Sequence, residues 1–363
     1  MKIVFTSYAA SPEYREPLSW LKRIEGYTGI LESLGKHHEV TSIERINFEG
    51  KLRQNGVDYL FTRQKKKIKR FPRAIHHLID EIQPDAIFIN GILFPFQLIQ
   101  LRRKLGKRAK IIVIHRSEKP PKGLKKFLLK WADPHVNAYL FSSLEFGADW
   151  KPFIDVGKIR ELGVASSVFY PIEKSSAKEI TKVNGSPVYL WVGSLIPRKD
   201  PMTVVKAFLE FLRMQPGARL YMIYKSGQLL EEVQQFTDQF PEGKGSIVFV
   251  GGVAHDNLLF WYNSADYFIA TSLYEGIGVA LSEAMSCGCI PIVTDIPSFR
   301  KMTGPKACGL IFQPGSRADL LKKLMQTRNM DVEKEKRLTI GQFKKELSFE
   351  AISEKIMYLL NTI

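Results

Sequence analysis

The chain has 363 residues, 45% of them apolar and 25% charged, with 53 Lys and Arg against 37 Asp and Glu and a formal net charge of +16. That length suits two domains rather than one, and the apolar share is ordinary for a globular protein. No run of about 18 apolar residues exists, which argues against a membrane-spanning helix, and Cys287, Cys289 and Cys308 lack metal-ligand spacing, so they read as small, reduced, buried residues of a cytosolic protein.

The charge is uneven. Residues 1–170 hold 30 basic and 17 acidic side chains, a balance of +13, whereas residues 171–363 hold 23 and 20. An excess placed in one half points to an acidic partner there: a membrane surface, an anionic acceptor or nucleic acid. Nucleic acid is the weakest of these, because no recognised DNA- or RNA-binding motif occurs.

In chain order, Lys2 to Tyr8 reads as a buried strand, and the opening MKIVFTSYAA is too short in apolar content for a signal segment. The polar loop Ala9 to Leu18 follows at the strand's carboxyl end, where open α/β sheets place ligands. Trp20 to Leu34 predicts one amphipathic helix, with Leu21, Ile24, Tyr27 and Leu31 at helical spacing and Gly35 closing it. His38 to Ile43 is a second strand. Three basic clusters come next: Arg63 to Arg73 (RQKKKIKRFPR), then Arg102 to Lys110, then Lys119, Lys122, Lys125, Lys126 and Lys130. The first is either a solvated face or a patch for anionic lipid. The third is spaced along a helix over Leu124–Trp131 with Phe127, Leu128 and Trp131, the make-up of an interfacial segment.

Asp85 to Asn90, Lys110 to His115 and Ala138 to Ser143 are apolar runs of the kind found in parallel strands buried on both faces. Each ends on polar residues, so Asn90-Gly91 and His115-Arg116-Ser117 are expected at the sheet's carboxyl edge. His115 there reads either as a site residue or as a structural cap. Lys174 to Pro187 reads as a polar linker. Val188 to Ser194 then begins a second sheet, running into the glycine turn and basic pair of VYLWVGSLIPRKD, with a helix over Met202–Met214. Strands follow at Leu220–Tyr224, Ile247–Val250 and Asp266–Thr271, with Gly251-Gly252 after the second and a short helix at Leu258–Ala265. Helices at Ala318–Leu324 and Glu333–Phe343, and a last one from Ser348 to Leu360, close the chain.

The stretch with most chemistry is Thr271 to Asp295, TSLYEGIGVALSEAMSCGCIPIVTD. Glycines in Glu275-Gly276-Ile277-Gly278 free a loop to present bare N–H groups. The helix expected over Val279–Cys287 carries a partial positive charge at the end behind that loop, so the pair suits an anion such as phosphate. Glu283 lies among Val279, Ala280, Leu281, Ala284 and Met285. A carboxylate in such a helix is costly unless something polar meets it, and a hydroxyl-bearing ligand would do so.

Glu275, seven residues, Glu283, then Ala-Met-Ser-Cys-Gly and a Pro-containing strand resemble the signature of family 4 (group 1) retaining glycosyltransferases. The resemblance is close over the second half of the chain and weak over the first. It implies an α/β protein of two Rossmann-like domains in the GT-B arrangement, facing across a cleft. The first would be residues 1–170, on the acceptor side, joined by a final helix (349–363) crossing back; the second, 171–348, would bind the nucleotide sugar. By the same resemblance Glu283 takes the ribose hydroxyls, and Glu275 holds the sugar, aided by N–H groups at Ile277, Gly278 and Val279. Gly193, Ser194 and Gly252 line the donor. Lys199 matches the family lysine that grips the diphosphate, Ser194 stands where its arginine usually is, and Arg198 is the residue placed to substitute. His115 matches the histidine that approaches donor sugar and acceptor.

The family pattern also departs here. The first loop lacks a Gly-Gly pair, and Gly163-Val164-Ala165 replaces the usual Asn-Gly-Val-Asp. The implied substrates are a UDP- or GDP-sugar and a saccharide or lipid-linked acceptor, with no cofactor and no metal. The implied location is cytoplasmic, with peripheral contact at the inner membrane face. Alternatives on the same fold are a nucleotide-sugar epimerase and a non-catalytic nucleotide-sugar-binding subunit.

Overall fold

A computed structural model describes every residue except 64–71, 117, 122, 124, 165 and 305–307, and every described side chain but that of Lys125. Most of the first basic cluster therefore lies outside the described residues, as do Lys122, Leu124, Ser117 and Ala165. The chain divides into two units, Met1–Ser166 with Phe349–Ile363, and Ser167–Ser348.

Unit 1 is built on β1 (Lys2–Ser7), β2 (Glu39–Glu44), β3 (Gly50–Gln54), β4 (Val57–Phe61), β5 (Ala86–Asn90), β6 (Lys110–Ile114), β7 (Ala138–Phe141) and β8 (Ile159–Glu161). They form one sheet in the order β3-β4-β2-β1-β5-β6-β7-β8. Every neighbour is parallel except the β3–β4 pair. Ile3 stands opposite Val40 and Ala86, and the central strands are covered on both faces, which is why they read as unbroken apolar runs.

The β3–β4 hairpin was not expected. Its turn is Asn55-Gly56, with φ of 49° and 83°, the two positive angles of the tight turn that matches strand twist. The single helix expected over Trp20–Leu34 is two, α1 (Pro17–Arg23) and α2 (Glu25–Gly35), broken at Ile24. The break brings Gly26 against Ser166: the Ser166 N–H donates to the Gly26 carbonyl at 3.2 Å, and a Cβ at Gly26 would stand 3.0 Å from the Ser166 carbonyl oxygen. The C-terminal helix, Phe349–Thr362, packs on α2. Ser353 Oγ donates to the Ile30 carbonyl at 3.2 Å, and the Phe349 ring fills the space that a side chain at Gly29 would need. Around the sheet run α3 (Arg73–Ile82), α4 (Pro95–Leu105), α5 (Lys125–Ala132) and α6 (Leu144–Ala148).

Unit 2 carries β9 (Val188–Gly193), β10 (Arg219–Tyr224), β11 (Ile247–Gly251), β12 (Tyr267–Ala270), β13 (Ile290–Thr294) and β14 (Leu310–Phe312), all parallel. The order β11-β10-β9-β12-β13-β14 reverses between β9 and β12, and open α/β sheets bind ligands outside the carboxyl ends of strands at such a reversal. The helices are α7 (Lys174–Thr181), α8 (Pro201–Leu212), α9 (Leu230–Asp238), α10 (Leu258–Ser264), α11 (Val279–Ser286), α12 (Pro297–Thr303), α13 (Arg317–Thr327) and α14 (Val332–Glu346). The linker expected over Lys174–Pro187 is therefore half helix. Ala177 on α7 is fully buried, Thr181 Oγ1 meets Ser264 Oγ at 2.8 Å, and the Lys174 ammonium pairs with Asp266.

Candidate active site

In unit 2, β9 and β12 pair only at Tyr189–Tyr267 and Leu190–Phe268 and then part. The two loops that leave them are tied together across the gap. Trp191 Nε1 donates to Thr271 Oγ1 at 3.2 Å, and that hydroxyl donates to the Lys199 carbonyl at 2.7 Å. The Leu273 N–H donates to the Arg198 carbonyl at 2.9 Å. Arg198 and Lys199 lie in one turn of 3-10 helix, Pro197–Lys199, ended by Asp200 at a φ of 46°. The Asp200 carboxylate caps α8 by accepting from the Thr203 N–H at 3.3 Å.

The β9 loop thus supplies two cations and the β12 loop supplies Glu275. One guanidinium nitrogen of Arg198 donates to Glu275 Oε2 at 3.0 Å and to the Tyr274 carbonyl at 2.7 Å. The Lys199 ammonium reaches the same carboxylate oxygen. Ser298 Oγ, from α12, donates to the Glu275 carbonyl at 2.6 Å. Glu275 is consequently fixed in side chain and backbone.

Three residues on, Gly278 begins α11 at a φ of 67°, without a side-chain cap. A Cβ there would lie 2.8 Å from Met302 Sδ and 3.1 Å from a Phe299 ring carbon. Glycine is thus required by angle and by space. The first turn of α11 has no side-chain cap, and helix-terminal N–H groups without one favour an anion. Gly193 ends β9, Ser194 opens the loop behind it, and Ile277 and Val279 flank Gly278. Gly252 follows β11, the edge strand two places from β9.

Glu283 is one turn further along α11 and 6% exposed. It does not join Glu275. Its Oε1 meets His255 Nε2 at 2.7 Å, and its Oε2 accepts from the Tyr262 hydroxyl at 2.9 Å. Phe169 stacks at a tilt on both partners, with ring centroids 5.0 Å from His255 and 6.0 Å from Tyr262. Tyr262 is fully buried, and burial, reinforced by Glu283, pushes its hydroxyl well above the usual phenol range, so it stays a donor. Sequence reasoning missed both partners. Tyr262 lay inside a stretch read only as a short helix, and His255 just beyond a glycine pair.

His115 belongs to unit 1, directly after β6. It is 6% exposed, stacked on Phe141 at 4.5 Å and edge-on to Trp150 at 5.6 Å. Burial pushes its pKa below the usual imidazole value. The neutral ring donates from Nε2 to the Glu118 carbonyl at 2.9 Å. The Glu118 carboxylate accepts from the N–H groups of Ile92, at 3.1 Å, and Arg116, so it straps the loops after β5 and β6 together. Glu118 was not singled out from the sequence. Of the second basic cluster, Arg102 is structural. It donates to the carbonyls of His135, Gly106 and Ala109 and to Asn137 Oδ1, while Lys104 and Arg108 pair with Asp80.

Among known proteins, residues 173–346 match the family model described as "Glycosyl transferases group 1". Curated relatives include the serotype-specific mannosyltransferase WbdA of Escherichia coli, 23% identical over 57% of this chain and 25% of its own length. Another is the lipopolysaccharide core biosynthesis mannosyltransferase LpsB of Rhizobium meliloti, 25% identical over 62% of this chain and 63% of its own. The chain thus spans about a quarter of the length of the first relatives it matches. A solved glycosyltransferase from Rickettsia africae has a TM-score of 0.76 at 15% identity, covering 99% of this chain and 97% of that one. Anabaena HepE in complex with UDP-glucose has 0.70 at 14% identity, covering 100% of both. The chain has the α/β fold of GT-B glycosyltransferases, two parallel-sheet domains, and its second unit is the part that matches the group 1 glycosyl transferase family.

Proposed function

We propose that this protein is a retaining glycosyltransferase that moves a sugar from a nucleotide-sugar donor, a UDP- or GDP-sugar, to a saccharide or lipid-linked acceptor in glycan or glycolipid biosynthesis. The observation that carries the reading is the convergence of Arg198, Lys199 and Glu275 beside the uncapped start of α11, at the strand-order reversal of unit 2. Cations and bare N–H groups serve a diphosphate. Carboxylates serve hydroxyls.

In this reading the ribose hydroxyls donate to Glu283. A carboxylate has about four acceptor positions, so its bonds to His255 and Tyr262 leave room for two more. Glu275 accepts from the sugar ring. Lys199 has three N–H donors and Arg198 five, so donation to Glu275 does not exhaust either. As the bond from the anomeric carbon to the diphosphate oxygen breaks, negative charge grows on the leaving group, and these cations stabilise it. The acceptor oxygen attacks from the same face through an oxocarbenium-like state. Its proton passes to the departing diphosphate oxygen. Retention, independence of divalent metal and a cytoplasmic location belong to the same proposal. Among the described residues no helix is long and apolar enough to cross a membrane.

The test is a thermal-shift panel of UDP, GDP, ADP and their sugars, followed by turnover with the stabilising donor in chelator. One base should stabilise wild type and do so less for Glu283→Gln, and the product's anomeric signal should match the donor's. A panel in which no nucleotide stabilises the protein, or a product of inverted configuration, would remove the reading.

A further inference from the structure

The helix α5 has one seated edge and one bare face. Leu129 and Ala132, 1% and 0% exposed, pack into the core beside α4. On the outer side Phe127 is 52% and Trp131 70% exposed. Residues four apart share a helix face, so the two rings project together. Lys126 and Lys130, also four apart and exposed, run alongside them, and the Lys126 ammonium lies 5.0 Å from the centre of the Phe127 ring. The helix, KKFLLKWA, contains no acidic residue, and it sits in the half of the chain whose balance is +13.

Single exposed apolar residues need no explanation, but two large aromatics in register with two ammonium groups do. Aromatic rings favour the boundary between headgroups and acyl chains, and lysine stems reach past them to phosphates. We propose that this face of α5 rests on an anionic lipid surface. The charge is complementary to acidic headgroups. The proposal stands whether or not the chain transfers sugar.

The test is co-sedimentation of the full chain with vesicles of phosphatidylcholine alone or mixed with phosphatidylserine. Wild type should bind the mixed vesicles, less so as salt rises. Each lysine near such a surface contributes roughly a five-fold increment, so Lys126→Gln with Lys130→Gln should lower partitioning about thirty-fold. Phe127→Ala with Trp131→Ala should lower it on the order of ten-fold. Bromine on the lipid chains should quench part of the tryptophan emission in wild type and less in Trp131→Phe. Unchanged urea midpoints serve as the folding control. Wild type that ignores phosphatidylserine, or double variants that sediment as wild type does, would overturn the proposal; so would quenching as strong in Trp131→Phe as in wild type.

Discussion

Tyr262→Phe isolates one bond of the buried Glu283. The hydroxyl donates to Oε2 at 2.9 Å, with the ring fully buried and the carboxylate 6% exposed. Phenylalanine keeps the ring in place against Phe169 and Phe268 and opens no cavity, so the change is the lost donor alone. A hydrogen bond to a charged group contributes about 1.5–3 kcal/mol, and the acceptor left behind here is poorly hydrated. Unit 2, at Ser167–Ser348, falls in the size range where 1 kcal/mol shifts Tm by roughly 2–4 °C, so a fall of about 3–12 °C is expected. Urea unfolding followed by tryptophan emission gives the free energy, and calorimetry gives Tm. In a Glu283→Gln background the same substitution should cost less, because an amide oxygen is a weaker acceptor than a carboxylate, and the shortfall measures the coupling. A loss under about 0.5 kcal/mol, within the range of ordinary surface changes, would show that Glu283 is not held as described. Equal losses in both backgrounds would show the same.

Gly278→Ala places a side chain at a φ of 67° and 2.8 Å from Met302 Sδ. It should cost about 2–3 kcal/mol of unit 2 stability by urea titration and weaken nucleotide-induced stabilisation; an unchanged midpoint counts against the glycine argument. Lys199→Ala should lower turnover about 10²–10³-fold if the ammonium meets a developing anion, while Arg198 keeps Glu275 in place and the melting point nearly unmoved. Turnover within a few-fold of wild type removes that role. In unit 1, burial pushes His76 down to about 4, and its Nε2 meets the Tyr8 hydroxyl at 2.9 Å. A folded pKa below the unfolded value of about 6.5 means that the unfolded chain binds the extra proton first. The stability from keeping this ring neutral is therefore complete above about pH 6.5 and drains away as pH falls toward about 4, by up to about 3 kcal/mol. His76→Gln should flatten that part of the pH profile; an equally steep profile would assign the loss to other groups.

How much of this was legible in the sequence follows from the range over which each feature is determined. The parallel strands were readable because a strand buried on both faces must be apolar at every position, as at Ile87–Phe88–Ile89 and Ile111–Ile112–Val113. The β3–β4 hairpin was equally local, since Asn55-Gly56 is a strong turn signal, but its strands are half-exposed and do not stand out as apolar runs. Helix α7 failed to stand out for a related reason: its buried contact is mainly Ala177, and its other ties, Thr181 to Ser264 and Lys174 to Asp266, are polar pairs 83 and 92 residues apart. The site shows the same division. Arg198, Lys199 and Glu275 were each visible beside a glycine turn, and each turn sits at a strand's carboxyl end. That they share one carboxylate oxygen depends on β9 and β12 being neighbours, a pairing no local pattern encodes. Glu283 is the sharper case. A carboxylate inside an apolar helix announces that a polar partner exists, and in this fold the first partners are His255 and Tyr262 from the preceding strand–helix unit. A nucleotide bound as proposed would therefore add to an occupied carboxylate rather than satisfy a bare one, so the residue's burial alone is no measure of its affinity for ligand.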